Sequence, residues 1–194
     1  MNEKQLKQFI YCCQKESLKL HFNNVDGIAT YMDERLENQT FLEALYKQKD
    51  LLCRLKSGIC FSMSAWVFDL LGTMDANNYY FMESHDGHWS NFVILYETEE
   101  GYRICDLAEE VRKNEFLITS LFDANPSEVL DLHKKLITPR NIVITPEEYT
   151  KEYPIGTCMV LDHHGNEEAM YYDVPRIKLK DFLSKEKDAK HNSI

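Results

Sequence analysis

The stretch from Lys56 to Gly72 constrains the fold more than any other part of this chain. It reads as one helix with punctuation at both ends. Ser57 or Gly58 can serve as N-cap, the interior lacks glycine and proline, and Gly72 stands where a terminating glycine would. Ile59, Met63, Trp66, Val67 and Leu70 recur at helical spacing, which predicts a helix buried on most sides. A helix of that kind has to be wrapped by the rest of the chain. Its first turn carries Cys60, where unpaired N–H groups and the helix dipole favour an anion and hence thiolate.

The chain supplies enough material for such a wrapping. Its 194 residues suit one well-packed domain, and 44% hydrophobic with 12% aromatic content argues for a real core. Upstream, the apolar pattern predicts a helix from residue 2 to about 22. A turn cluster comes next at Asn23 to Gly27, then helices over Ile28 to about Glu37 and Thr40 to about Leu55. After Gly72 the period changes. Asn78 to Met82 has strand composition, Ser84 to Gly87 reads as a loop, and His88 to Tyr96 reads as a long strand. Glu97 to Gly101 forms a hairpin turn, with Tyr102 to Leu107 as the return strand.

Leu117 to Phe122 fits either element, Pro126 to about Lys135 reads as a helix capped by Asn125, and Asn141 to Ile144 is a short strand. Pro146 opens another helix. A second hairpin is predicted from Cys158–Asp162 and Ala169–Val174, turning around His164 to Asn166. Helices first and an antiparallel sheet after them predict a single α+β domain over residues 1–184. Residues 185–194 read as a flexible tail.

Charge and cysteine usage narrow the function. With 22 basic and 32 acidic residues the formal charge is −10, which disfavours nucleic-acid binding because phosphate neutralisation needs a basic surface. No signal-peptide pattern opens the chain and no apolar run reaches membrane-spanning length, so no membrane partner is expected. Six irregularly spaced cysteines form neither a disulfide framework nor a C-x-x-C pair, and a reducing cytoplasm is the compartment expected. Asp162-His163-His164 sits at an apparent turn. Adjacent histidines on a strand point to opposite faces, which makes a poor joint metal site, so the triplet reads as solvated turn residues.

The chemistry-bearing residues are therefore Cys60, His88 and Asp106. An imidazole at the mouth of a buried strand suits a general base, with His85 as the alternative. A carboxylate interrupting an apolar return strand needs a partner, and an imidazole N–H would supply one. It could instead end the strand or cap a turn after it. Centring the hairpin on Glu99 sets Asp106 across from Phe92 rather than His88, so Glu109 and Glu110 stand as alternative orienting acids.

Gly58-Ile59-Cys60 with Ala65, then His88 at a strand start, then Gly101-Tyr102 and Asp106, resembles the transglutaminase-like branch of the papain-like cysteine enzymes. The resemblance covers about residues 56 to 107. Trp89 follows His88 directly, where that family often has its tryptophan one place later. No glutamine precedes Cys60 closely, Gln48 being the nearest, so the oxyanion donor is unassigned beyond the Cys60 backbone N–H. The resemblance implies a papain-like core with Cys60 as nucleophile, His88 as base and acid, and Asp106 as its orienter. It implies thiol acyl chemistry on a peptide, protein or small amide or ester, ending in hydrolysis or transfer, with no metal or organic cofactor. The competing expectation is a non-catalytic binding module built on the same fold.

Overall fold

The computed structural model describes residues 1–23, 40–85, 90–137, 142–152, 157–166 and 179–191. Within them the chain is α+β, with seven helices and an antiparallel five-stranded sheet. The elements in order are α1 (Glu3–Ser17), β1 (His21–Phe22), α2 (Phe41–Leu55), β2 (Ser57–Gly58), α3 (Cys60–Thr73), β3 (Tyr79–His85), β4 (Ser90–Thr98) and β5 (Gly101–Cys105). They continue with α4 (Leu107–Asp123), α5 (Pro126–Ile137), β6 (Val143–Ile144), α6 (Pro146–Glu152), β7 (Thr157–Asp162) and α7 (Leu179–His191). The strand order is β6-β5-β4-β3-β7, and β1 and β2 form a separate parallel pair.

The sheet alternates residues between two faces, as the pleat requires. Tyr79, Phe81, Phe92, Ile94 and Tyr96 face one cluster together with Phe9 of α1, Phe41 and Leu45 of α2, and Phe61, Met63 and Phe68 of α3. Tyr80, Met82, Val93, Leu95 and Ile104 face the other, closed by Tyr149 of α6 and by Leu179 and Phe182 of α7. Phe61 is central to the first cluster. Its ring meets those of Phe41, Phe81 and Phe92 edge-on at 5.6, 5.1 and 4.9 Å. Each such ring contributes about 1.5–3 kcal/mol by burial, with edge-to-face contact adding to it.

The central helix spans what its pattern predicts, but its ends are made differently. Ile59 is the N-cap residue, with Ser57 and Gly58 drawn into β2. The Ser62 hydroxyl accepts from the Ile59 N–H at 3.0 Å and lies 3.0 Å from the Ile59 carbonyl. At the other end Gly72 stays inside the helix, and Asp75 takes the left-handed conformation, at φ 51. Gly72 has another reason to be small: a Cβ there would sit 3.0 Å from the Tyr79 hydroxyl oxygen.

Other boundaries shift for local reasons. α1 ends at Ser17, and His21–Phe22 leave helix altogether to pair with Ser57–Gly58. Thr40 caps α2 by accepting from the Glu43 N–H while the Glu43 carboxylate takes the Thr40 N–H. β3 runs through Ser84 and His85, which the sequence reads as loop. The hairpin closes on Glu99–Glu100, with Thr98 opposite Gly101 and Ile94 opposite Cys105 as its last pair. Leu107 belongs to α4 rather than to the return strand, and the ambiguous Leu117–Phe122 run is helical.

The tail expected from 185 is helix as far as His191. Tyr80 donates to Glu186, and Lys190 pairs with Glu97, which ties α7 across the sheet. The predicted helix over 28–37 and the strand over 169–174 lie outside the described residues. No helix among the described residues is long and apolar enough to cross a membrane.

Candidate functional site

Cys60 is placed by a chain of local constraints. α2 ends at Leu55 and Lys56 adopts φ 55, reversing the backbone. Lys56 and Gly58 carbonyls then accept from His21 and Asn23 N–H groups, both at 2.9 Å. Gly58 packs so closely that a Cβ would lie 2.2 Å from Ser62 Oγ and 2.9 Å from Leu52 Cδ1. Two residues later Cys60 is the first residue of α3, free and partly buried. The first-turn N–H groups around it have no intrahelical acceptor, which is the setting the sequence anticipates.

The helix meets the sheet where β5 stops. β4 pairs with β5 only as far as Ile94, so its Phe92 lies beyond the end of that partner. The Ser64 hydroxyl, one turn after Cys60, donates to the Phe92 carbonyl at 2.6 Å. The Phe92 N–H faces the Cys60 sulfur and favours its thiolate, as does the Phe61 N–H. α3 thus takes the place of a strand at that point in the ladder, and the thiol is fixed against the opening of β4.

Burial nonetheless pushes the Cys60 thiol up from its ordinary value, and the nearby Asp106 carboxylate adds to that, with Arg112 opposing. The shift is upward, against the expectation from the helix dipole alone. A thiolate here needs a cationic partner.

Asp106 is the N-cap of α4. Its Oδ1 accepts from the Glu109 N–H at 2.9 Å and its Oδ2 from Asn91 Nδ2 at 2.8 Å. Burial raises its carboxyl above the usual range, while those two donors and Arg112 pull it down. The carboxylate therefore combines two of the roles open to it in the sequence: it ends β5 and caps the next helix. Of the three acids considered for orientation, Asp106 is the one acting electrostatically on Cys60. Glu109 turns to Arg112 and Lys113, each at 3.7 Å, and Glu110 is buried in α4.

His88 lies outside the described residues, as do Asp86, Gly87 and Trp89. The strand reaches back only to Ser90. His85 is at the end of β3 with its backbone paired to Ser90. Asp106 comes near enough for its charge to act on the Cys60 thiol, while its hydrogen bonds go to Asn91 and Glu109; the histidine between them in sequence precedes β4 by two positions.

Three residues of this region were not singled out by sequence. Asn91 holds Asp106 from the same strand opening that His88 precedes. Glu83 is a buried carboxylate opposite Phe92 in the β3–β4 register, on the α3-facing side. Its signal is an acid one step after the apolar run Tyr79–Met82, at the parity of Phe81. Arg112 stacks on Phe22, its guanidinium carbon 4.5 Å from the ring centroid. Gln48 packs fully buried on α2, and its side-chain amide makes no hydrogen bond among the described residues.

At the far end of the sheet, Asp162 to Asn166 form the expected turn. Asp162 Oδ1 accepts from the His164 and Asn166 N–H groups, and the His163 ring stacks on Tyr79 at 5.1 Å. His163 is half-buried in this stack, and burial lowers its pKa, so the ring is only partly solvated. Among the described residues no group of three or more His, Cys, Asp or Glu is arranged to hold a metal ion. In comparisons with known proteins, no family model, no curated protein and no solved structure matches this chain.

Proposed function

We propose that the chain is a thiol-dependent acyl-transfer or hydrolytic enzyme with a transglutaminase-like, papain-like core, acting on a peptide, protein or small amide or ester. The observation that carries the reading is the convergence of Cys60, in the first turn of a buried helix, with Asp106 at the end of the return strand of the β4–β5 hairpin. Cys60 attacks the carbonyl and forms a thioester. His88, within two residues of the β4 opening, takes the thiol proton and hands it to the leaving group. Water or an amine then releases the acyl group and restores the thiol. Asp106 and Asn91 form the polar wall that orients the imidazole, and the Cys60 N–H donates to the oxyanion.

Burial displaces the Cys60 thiol upward, so the thiolate this reading requires has to be supplied by an imidazolium at His88. Five cysteines are free among the described residues, which fits the reducing cytoplasm the proposal assigns.

A second reading, a binding module on the same fold, is favoured by the structural use Asp106 already has, capping α4 and holding Asn91. The two are separated by incubating the protein with peptide, ester and glutamine–amine substrates and weighing it intact. The enzyme accumulates an acyl adduct that maps to Cys60 and vanishes in Cys60→Ser. Turnover that survives Cys60→Ser, or no adduct with any substrate, contradicts the proposal.

A further inference from the structure

Arg112 sits at the seam between two parts of the molecule that the candidate site joins. It lies six residues after the Asp106 N-cap, about 9 Å along α4, and a helical side chain leans back toward its own N-terminus. That direction is toward Asp106 and Cys60, and its charge favours the ionised form of both. The guanidinium lies over the Phe22 ring at 4.5 Å, and Phe22 pairs with Gly58, two residues before Cys60. Cation–π stacking of this kind fixes the plane of the group.

The orientation of the fork matters more than its charge. Arg112 Nε turns to its own helix, donating to the Ala108 carbonyl at 3.4 Å and lying 3.7 Å from Glu109 Oε2. Among the described residues neither Nη1 nor Nη2 makes a hydrogen bond, and the side chain is 43% exposed. It lines an open groove of about 370 Å³ with Glu109, Lys113, Phe116 and Leu117. Two cations share one carboxylate there, since Lys113 also reaches Glu109 at 3.7 Å. On a chain of formal charge −10, this is a locally cationic groove in which Arg112, held by its Nε bond and the Phe22 ring, offers a planar donor pair without a hydrogen-bond partner among the described residues.

The geometry points to Arg112 as the specificity residue of the proposed enzyme: it binds a carboxylate on the acyl substrate, setting that substrate's carbonyl near Cys60. The inference rests on the thiol-acyl reading of the site. Arginine suits the task because two parallel N–H donors match the two oxygens of a carboxylate. The carboxylate is either a peptide α-carboxylate or an acidic side chain, which share this chemistry.

The test is calorimetric titration of the full-length Cys60→Ser protein with three isosteric probes. N-acetylglutamine carries only the α-carboxylate, N-acetylglutamate α-amide only the side-chain carboxylate, and N-acetylglutaminamide neither. One of the two anions is expected to bind about tenfold or more tightly than the neutral probe, and which one names the source of the carboxylate. Arg112→Gln abolishes that preference, and Arg112→Lys, which keeps the charge without the fork, retains only part of it. Equal binding of all three, no binding by any, or a preference that survives Arg112→Gln overturns the inference. Because Cys60→Ser removes the thiol that would form the thioester, recognition is read separately from chemistry. Equal binding of the three probes with Cys60 acylation intact in the parent protein removes Arg112 alone, and absence of acylation with the preference intact removes the enzyme reading.

Discussion

At its N-terminal end α3 is fixed by its own serines, one of which reaches β4, whereas its C-terminal end closes chiefly through its own backbone, with one long bond from Gln5 Nε2 of α1 to the Met74 carbonyl at 3.4 Å. Ser62 returns to Ile59, Ser64 donates to the Phe92 carbonyl, and Cys60 lies against the Phe92 N–H, so the helix start is capped from within and stitched to β4. At the other end the backbone turns through Met74 and a left-handed Asp75, with the Ala76 N–H donating to the Leu71 carbonyl at 3.1 Å. Each end has a glycine held close to a neighbour, but the crowding differs. Ser62 Oγ and Leu52 press on Gly58 from two elements, while Gly72 meets only the end of the Tyr79 side chain. The precision of this helix is therefore concentrated where Cys60 is.

Gly58→Ala should have the largest effect on stability, about 2–3 kcal/mol of destabilisation. Its Cβ displaces Ser62 Oγ and with it the bonds to Ile59. Denaturant midpoints at constant m-value measure it, and a loss below ~0.5 kcal/mol would remove the asymmetry between the ends. Ser64→Ala comes next, at about 1–2 kcal/mol, because it removes a buried 2.6 Å donor from the Phe92 carbonyl. Hydrogen exchange of the β4 amides should rise in the same variant, since the helix-to-strand stitch is what it cuts.

Asp106→Asn probes the anchored end through pH. Asp106 is raised in the folded protein, chiefly by burial, so the folded state holds its proton over a window just above the ordinary carboxylate range where the unfolded chain has lost it. Stability from this group therefore falls as pH rises through that window, and is fully present below it. Asparagine can still accept from the Glu109 N–H, so the variant should keep the helix cap and show a flatter stability profile just above the ordinary carboxylate range. A wild-type profile that climbs relative to the variant over that range would reverse the sign. The smallest effect is expected for Gly72→Ala. Gain in helix propensity, about 1 kcal/mol, offsets the few tenths of an ångström that Tyr79 must yield. The net change in melting midpoint should be close to zero, and a large loss would show that the closing end is as tightly held as the opening one.

Much of this frame was legible in the residues. The α3 span, the Thr40, Asn125 and Pro146 helix starts, and the Glu99–Glu100 turn all arise from side chains acting on their own backbone. The illegible parts depend on partners far along the chain. His21–Phe22 become a strand only because Ser57–Gly58 are there to pair with them, and two residues carry no period. The length of α4 was obscured because Phe116 and Phe122 sit exposed on it, against the amphipathic rule. α7 looked like a solvated tail because its hold on the sheet is made by Phe182 and by Glu186 and Lys190 reaching Tyr80 and Glu97.

For the candidate site, the sequence singled out Cys60, His88 and Asp106, and the hairpin register was off by one step because the turn centres between Glu99 and Glu100. The contact of Asp106 with Asn91 is a product of that register and of the capping geometry together, so neither residue alone announces it.

The most direct test is the pH dependence of Cys60 alkylation by iodoacetamide, in the wild type and in His88→Ala. Burial, helped by the Asp106 charge, pushes this thiol up, so without an imidazolium partner it should react only at alkaline pH. The predicted result is selective, rapid alkylation of Cys60 at mildly acidic pH in the wild type, with the reactive window moved above the ordinary thiol range in His88→Ala. Identical alkaline profiles for the two proteins would contradict the claim that α3 presents a catalytic thiolate.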